Sequence, residues 1–326
     1  MNTVPTELKK FLNDYEQYIL AGHREPDGDS VGSTLALASF LKRRGKKTIT
    51  LSSGPFKRPE VKKYESQFLS RLPESTNTEN TAVVVLDCAN IDRIGEASEG
   101  IEWFPIAIID HHATNTDSNP VDYVIPTAPA TTLLVQNVIE SFNEKPTKEE
   151  AELLLFGLCT DTGFFRHLDT SFPQAFASAS RLVSEGASPK ETFLHMNGGK
   201  SFESRILISQ VLSRMERFYD GQMIVSSETM EDTAQFGLEG RDSDSLYQLI
   251  QGISGVEVII LVRQETPDNC TVGFRSVHRV DVSLVAKHFG GGGHIRASGL
   301  SIPATIETLI PRLVAAFADQ FPGVEA

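Results

Sequence analysis

The sequence predicts an α/β protein of two domains, and three observations indicate this fold class. The chain has 326 residues, enough for two separate hydrophobic cores. Its first half alternates short apolar runs with helical patterns, which is typical of a parallel sheet with helices on both faces. After residue 218 the order of strands and helices changes. We therefore expect a parallel-sheet domain at 1–190, a helical linker at 191–218 and a smaller α/β domain at 219–326.

The elements of the first domain follow from apolar runs and from the residues that end them. Strands are predicted at 18–22, 48–51, 82–86 and 106–109. The first helix is predicted at 33–44, because cations at its carboxyl end suit the helix dipole and Gly45 stops it. Further helices are predicted at 129–142, 148–159 and 173–185, the last of them ending before Gly186.

The second half begins with a predicted helix at 201–218, where apolar residues such as Leu207, Val211 and Met215 recur at helical spacing. Strands are predicted at 223–226, 256–262 and 271–274, and helices at 243–251, 282–288 and 306–316. A run of four glycines at 290–293, followed by His294, separates the last two helices.

Composition and charge disfavour several classes of protein. Hydrophobic residues make up 40% and charged residues 22% of the chain, which argues against a disordered or fibrous protein. The polar amino terminus lacks the apolar run of a signal peptide, and no stretch is apolar for long enough to span a bilayer. The three cysteines are far apart, which suits a reducing cytoplasm. We therefore expect a cytoplasmic protein with no membrane partner.

The net charge of −13 bears on the kind of ligand. Proteins that track long nucleic acids normally carry a basic surface. The excess of acid therefore favours small or short substrates and argues against binding along a long nucleic acid.

The most informative segment is the predicted strand that ends in Asp110, His111 and His112. An acid and two imidazoles at the end of a buried strand need partners to offset their desolvation, and a bound cation is the commonest such partner. A hydrogen-bonded core histidine is the alternative, which the pair of adjacent imidazoles after an acid disfavours.

Three other segments also end in candidate metal ligands. The loop after the first strand holds His23, Asp27 and Asp29 within seven residues, at the sheet edge where α/β folds bind ligands. Asp87 follows the third strand, and Asp161 ends an apolar helix. Taken singly, each segment also suits a structural role, as a polar turn, a helix cap or a helix end beside glycine.

Together these segments supply two imidazoles and four carboxylates as ligands. This mixture excludes a thiolate-bound metal and suits Mn²⁺ best, with Mg²⁺, Co²⁺ and Fe²⁺ as alternatives. Four carboxylates around one centre would repel one another unless cations lay between them. Two divalent ions about 3.5–4 Å apart would remove that repulsion and activate a hydroxide for attack on a phosphorus ester.

These motifs resemble those of the DHH/DHHA1 phosphoesterase superfamily, and the length and layout of the chain are closest to its nano-RNase branch. The resemblance rests on Asp87 and on motifs at 23–32 (HxxPDxDxxG), 110–112 (DHH), 161–163 (DTG) and 290–299 (GGGGHIRASG). It covers nearly the whole chain in the same order. It implies a parallel-sheet DHH domain joined by a helical linker to a smaller DHHA1 domain that binds substrate.

The resemblance also implies a role for each residue of the cluster. His23 and Asp27 would hold one ion, and Asp87 would bridge both ions. The remaining ligands of the second ion would be Asp29, His111 and Asp161. Asp110 would orient the histidine pair, and His112 would contact the scissile phosphate as a catalytic residue.

In the second domain, glycines let backbone N–H groups approach a phosphate, and neighbouring cations add charge-assisted contacts. The predicted substrate-binding residues are Arg275, Ser276, Gly291, Gly292, Gly293, His294 and Arg296. A glycine run alone also suits a flexible hinge, but Arg275 and His294 beside it favour binding.

We expect a metal-dependent phosphodiesterase that hydrolyses short oligonucleotides or linear dinucleotides such as pApA, with 3′-phosphoadenosine 5′-phosphate as a further candidate substrate. The alternatives are a cyclic-dinucleotide phosphodiesterase on the same scaffold and a non-catalytic nucleotide sensor. A family II pyrophosphatase is disfavoured because its basic signature is not found, and a RecJ-type exonuclease because it needs an additional nucleic-acid-binding module. Family analogy leaves a homodimer as an open alternative for the oligomeric state.

Overall fold

The computed structural model describes residues 3–88, 90–112 and 119–324. The chain divides into two compact units, Met1–Gly199 and Lys200–Ala326, and each unit is an α/β structure as predicted. Within the described ranges, no helix combines the length and the apolar character needed to cross a bilayer.

The first unit is built on a parallel sheet. Its strands are β1 Gln17–Ala21, β2 Lys47–Leu51, β3 Thr81–Leu86, β4 Ile106–Asp110 and β5 Tyr123–Val124. They lie in the order β2-β1-β3-β4-β5, with every pairing parallel. Every residue of β3 is buried, because a parallel sheet is covered on both faces. Since the strands are parallel, the residues that follow β1, β3 and β4 meet at one edge.

Helices cover one face of this sheet. They are α1 Thr6–Asp14, α2 Gly28–Arg43, α3 Pro59–Lys62, α4 Thr131–Ser141, α5 Lys148–Asp161, α6 Pro173–Ser184 and α7 Pro189–Asn197. The core on that face joins α1, α2, α4 and α5 to the sheet. The opposite face is covered by short 3₁₀ turns at Ile91–Ser98 and Ile101–Trp103. The helices α1, α3 and α7 were not predicted.

The helix α2 begins five residues earlier than the predicted start at 33. The reason is the side chain of Asp27, which accepts hydrogen bonds from the N–H groups of Asp29 and Ser30, each at 3.1 Å. An N-cap of this kind satisfies amide groups that the first turn of a helix leaves without partners. The predicted loop is therefore partly helical, and Asp29 lies in the first turn of α2.

The second unit contains a mixed sheet. Its strands are β6 Glu216–Phe218, β7 Met223–Glu228, β8 Val258–Thr266, β9 Asn269–Ser276, β10 Gly292–His294 and β11 Ala297–Pro303. They lie in the order β10-β11-β9-β8-β7-β6, with β7 and β8 parallel and the other pairs antiparallel. Its helices are α8 Phe202–Ser213, α9 Met230–Phe236, α10 Ser243–Gln251, α11 Val282–His288 and α12 Ile306–Ala315.

Several segments of the second half differ from the prediction, and one of them is α9, which was not predicted. The predicted helix at 201–218 ends at Ser213, and residues 216–218 form β6. The predicted linker at 191–218 therefore contains most of α7 and the whole of α8 and β6. Its apolar residues Leu207 and Val211 pack into a core of the second unit. The glycine-rich motif forms the hairpin β10–β11, which was not predicted because glycines carry no side chains to show a strand pattern.

Close packing between α2, α4 and α5 positions the polar residues at the edge of the first sheet. A Cβ on Gly157 of α5 would lie 2.4 Å from Cγ2 of Thr132 in α4 and 3.0 Å from Cα of Asp29 in α2. A Cβ on Gly28 would lie 2.4 Å from Oγ1 of Thr160. Only glycine allows these three helices to approach so closely.

We expect Gly157→Ala to destabilise the first unit by about 1–2 kcal/mol. The overpacking cost of about 1–3 kcal/mol exceeds the gain of about 1 kcal/mol from replacing a helical glycine. The measurement is the urea midpoint of the full chain. Gly252→Ala is the control, because its Cβ would come no closer than 3.5 Å to a neighbouring atom. Equal midpoints for the two variants would contradict the packing explanation.

Candidate metal centre

The six predicted metal ligands come together at the carboxyl edge of the first sheet. Their donor atoms fall into groups whose members all lie within 4.8 Å of one another. These groups are His23 with Asp27 and Asp87, Asp29 with His111 and Asp161, and Asp87 with His111 and His112. The ligands come from the ends of β1, β3 and β4, from the start of α2 and from the end of α5.

Asp87 occupies the middle of the cluster. Its Oδ2 lies 3.4 Å from Nε2 of His23, and its Oδ1 lies 3.5 Å from Nε2 of His111. The residue is 2% exposed and has a φ of 56°, which is uncommon for a residue other than glycine. Its Oδ1 also accepts a hydrogen bond from Oγ1 of Thr131 at 3.2 Å. One carboxylate therefore presents a different oxygen to each of two imidazoles.

The imidazoles of His23 and His111 both present Nε2 to the carboxylates. Nδ1 of His23 lies 2.8 Å from the carbonyl oxygen of Arg24, and Nδ1 of His111 lies 3.2 Å from that of Ala128. A carbonyl oxygen only accepts, so each Nδ1 carries a proton and donates it. Nε2 of His111 also lies 3.2 Å from Oδ2 of Asp161. Hydrogen bonding at Nδ1 is the usual way in which a protein orients a metal-binding histidine.

The side chain of Asp29 is held by the amino terminus of α4. Its Oδ2 accepts from the N–H of Thr131 at 2.6 Å, and its Oδ1 accepts from the N–H and Oγ1 of Thr132 at 2.9 and 2.7 Å. The positive end of the helix dipole favours this negative charge. Thr131 and Thr132 were not predicted as site residues, because in sequence they resemble an ordinary start of an apolar helix.

Asp110 contacts both histidines of the motif. Its Oδ1 accepts from the N–H of His111 and from Nδ1 of His112, each at 2.8 Å. It is fully buried, whereas the side chain of His112 is 34% exposed. This geometry orients His112 toward solvent-accessible space while Asp110 stays behind it.

The buried acids of the cluster raise the pKa of several side chains around them. Burial and the nearby charges of Asp87 and Asp161 raise the pKa of Asp29 well above its usual range. Burial and the charge of Asp87 raise the pKa of Asp161 to about 7. Burial lowers the pKa of His23 and His111, but hydrogen bonds to the neighbouring carboxylates outweigh it and raise both to about 10.

The donor set fits divalent metal ions. It consists of carboxylate oxygens and imidazole nitrogens, which ions of intermediate hardness prefer. Ligands about 2.1 Å from a common ion lie roughly 3 Å apart in octahedral geometry. Several donor pairs approach that separation, including His111 with Asp161 at 3.2 Å and His23 with Asp87 at 3.4 Å. A cation would also offset the repulsion among the buried carboxylates.

In the second unit, strand register divides the predicted substrate-binding residues between two faces. Arg275, Ala297 and His294 stand opposite one another on β9, β11 and β10, so their side chains share a face. Gly292 belongs to the next row on that face. Side chains alternate along a strand, so Ser276 is on the opposite face.

Several of the other predicted substrate-binding residues already have partners within the protein. Oγ of Ser276 donates to Oε1 of Glu257 at 3.3 Å. The N–H of Gly291 donates to the carbonyl of Ala286 at the end of α11, at 2.8 Å, so the expected row of free amides is not formed at this glycine. Gly293 pairs with Ser298 in the hairpin, while Arg296 is exposed.

Comparison with known proteins finds similarity over both units. The model of the DHH family, N-terminal domain, matches residues 17–158, and that of the DHHA1 domain matches residues 220–322. A protein of Thermus thermophilus, named bifunctional oligoribonuclease and PAP phosphatase NrnA, is 32% identical over 87% of this chain and 83% of its own. The cyclic-di-AMP phosphodiesterase GdpP of Bacillus subtilis is 26% identical over 93% of this chain and 48% of its own.

The fold has a counterpart among solved structures. The crystal structure of an exopolyphosphatase-related protein from Bacteroides fragilis matches with a TM-score of 0.78 and 24% identity, over 98% of this chain and 99% of that chain. Fold, cluster and relatives together define a hydrolase that acts on phosphate ester bonds. The chain belongs to the DHH/DHHA1 family. Enzymes of this family use divalent metals.

We expect Thr132→Val to weaken divalent-metal binding by about 10–100-fold, because it removes the hydroxyl that donates to the buried carboxylate of Asp29. The measurement is Mn²⁺ affinity by calorimetry. Thr34→Val is the matched control, since the buried Oγ1 of Thr34 has no hydrogen-bond partner among the described residues. The same affinity in both variants would show that the hydroxyl does not support the site.

We expect metal binding to release protons and to tighten as pH rises from 7 to 9. Both imidazoles are protonated below their pKa of about 10 and must lose those protons to bind a metal. The dissociation constant should fall by roughly tenfold per pH unit for each proton released. Below pH 7 the slope should steepen, because Asp161 then also carries a proton. Calorimetry in buffers of different ionisation enthalpy counts the protons, and a flat pH profile would contradict the charge assignment.

Proposed function

We propose that this protein is a two-metal phosphodiesterase that hydrolyses short oligonucleotides and linear dinucleotides such as pApA, with 3′-phosphoadenosine 5′-phosphate as a second substrate. The observation that carries the proposal is Asp87, whose two oxygens face two different imidazoles. A carboxylate in this position suits a bridge between two ions. The substrate class follows the name of the Thermus relative, an oligoribonuclease and PAP phosphatase.

We assign the two ions to the two halves of the cluster. His23 and Asp27 would hold one ion, Asp87 would bridge, and the remaining ligands of the other ion would be Asp29, His111 and Asp161. Mn²⁺ is the preferred ion for this mixture of nitrogen and oxygen donors. When bound, the ions would lower the pKa of a water and so supply a hydroxide for in-line attack on phosphorus.

The chain's own residues would complete the reaction. His112 has Nδ1 hydrogen-bonded to Asp110, which leaves Nε2 for the scissile phosphate or for a proton to the leaving oxygen. Asp110 would hold that imidazole in its orientation.

Substrate binding is assigned to the second unit. Arg275 and His294 share a face of the sheet with Ala297 and Gly292, which are small. Such a surface would let a nucleotide lie flat while the side chains of Arg275 and His294 contact its phosphate. The net charge of −13 supports a short ligand over a long nucleic acid. A homodimer stays a prediction from family analogy.

A cyclic-dinucleotide phosphodiesterase is the second candidate, because the relative GdpP carries that name. This chain spans about half of that relative, so the first candidate is preferred. A non-catalytic sensor would need no complete ligand set, whereas here all six side chains are grouped. We place the protein in the cytoplasm because its three cysteines are buried and unpaired.

The decisive test is AMP release from pApA with Mn²⁺, comparing wild type with Asp87→Asn. We expect the variant to lose activity by roughly a thousandfold or more, because metal ions contribute several kcal/mol to such reactions. Asp169→Asn, a change of an exposed carboxylate outside the cluster, should leave activity unchanged.

The substrate comparison separates the candidates. Retained activity in Asp87→Asn would refute the bridging role. A wild-type protein that hydrolyses cyclic di-AMP but not pApA would establish the second candidate. Tight pApA binding without turnover would indicate a sensor.

A further inference from the structure

Arg275 lies over the aromatic ring of Tyr247. Its Cζ is 4.4 Å from the ring centroid, well inside the range of about 6 Å for cation–π contacts. Among the described residues, Arg275 has no carboxylate partner, and its Nη1 donates to the carbonyl of Phe274 at 3.0 Å. Arg241 and Arg263 of the same unit differ, because both form ion pairs with Glu228. Arg275 is thus held by a ring and keeps its charge unneutralised.

The ring itself is firmly held. Tyr247 lies on α10, is 4% exposed and packs in a core with Ile259 and Leu261 of β8. Its hydroxyl is buried and finds no hydrogen-bond partner within the described part of the chain. A buried hydroxyl without a partner costs stability. The hydroxyl therefore does not explain why the ring lies here; the ring packs in this core and presents its face to Arg275.

Gly273 provides the space that the ring needs. It lies two residues before Arg275 on β9, so both positions are on the same face of the sheet. A Cβ at Gly273 would come within 2.2 Å of Oη of Tyr247 but only within 3.4 Å of its Cζ. A larger residue at this position would displace the tyrosine hydroxyl and with it the ring.

We propose that Tyr247 is a positioning residue that orients Arg275 for an anionic substrate, with Gly273 making room for its ring. This inference rests on the proposed function, in which Arg275 contacts the phosphate. A carboxylate in the same place would hold the guanidinium equally well but would compete with phosphate for it. A ring face fixes the guanidinium plane and leaves its N–H edge free for bidentate contact.

The first experiment compares Tyr247→Phe, Tyr247→Leu and Arg275→Ala in steady-state hydrolysis of pApA. We expect Tyr247→Phe to keep KM and kcat, because the ring face is retained and the lost hydroxyl has no partner among the described residues. Tyr247→Leu should raise KM by roughly threefold to thirtyfold, the range of a cation–π contact, with kcat nearly unchanged. Arg275→Ala should raise KM at least as much.

The second experiment is a double-mutant cycle between Gly273 and Tyr247. Gly273→Ala should raise KM, because the added methyl group meets Oη. Adding Tyr247→Phe should restore KM, because the nearest remaining ring atom lies at ordinary contact distance. A purely structural role of the ring would give no such rescue of KM.

The outcomes separate this inference from the function on which it rests. If Arg275→Ala leaves KM unchanged, the proposed substrate contact fails. If Arg275→Ala raises KM but Tyr247→Leu does not, or if the double variant is not rescued, the positioning role is overturned. If Tyr247→Leu does not fold by circular dichroism, the double-mutant cycle decides. If wild type binds pApA without turnover, the same comparisons are made on dissociation constants.

Discussion

The repulsion among acids at one edge of the first sheet is the constraint on which the site depends. Asp29 and Asp87 are almost completely buried there, and Asp27 and Asp161 lie beside them. Burial and these acidic neighbours raise the pKa of Asp29 well above its usual range, which favours protons in the cluster. Divalent ions would replace those protons, so the same repulsion that opposes the clustering of the acids would favour metal binding.

The architecture of the first unit serves to hold these acids in place. Parallel strands bring the segments after β1, β3 and β4 to one edge, and glycines at the crossing of α2 and α5 let the helices approach. The start of α4 then donates two N–H groups and a hydroxyl to Asp29. Packing of helices thus determines the electrostatics of the site, because a shift of α5 would move Asp161 away from His111.

In the second unit, the arginines that pair with a carboxylate differ in role from the arginine that stacks on a tyrosine ring. Arg241 and Arg263 are paired with Glu228, so their charge is neutralised inside the protein. Arg275 stacks on Tyr247 and shares its sheet face with His294, so its charge is available. The neighbouring Ser276 is instead bonded to Glu257 on the other face. Two predicted contacts adjacent in sequence therefore differ in what they can offer a substrate.

The sequence by itself determined strands β1 to β4 of the first sheet, but not the two-residue β5, together with the six clustered side chains and the family, because most of these residues lie in or next to apolar runs, which are local signals. It also predicted the bounds of α10 and α11. Only the tertiary structure decided which donors face one another and that Thr131 and Thr132 hold Asp29, since these residues lie 102 and 103 positions away. The contact between Arg275 and the ring of Tyr247 was likewise not predictable, because stacking between a helix and a strand produces no periodic pattern in the sequence.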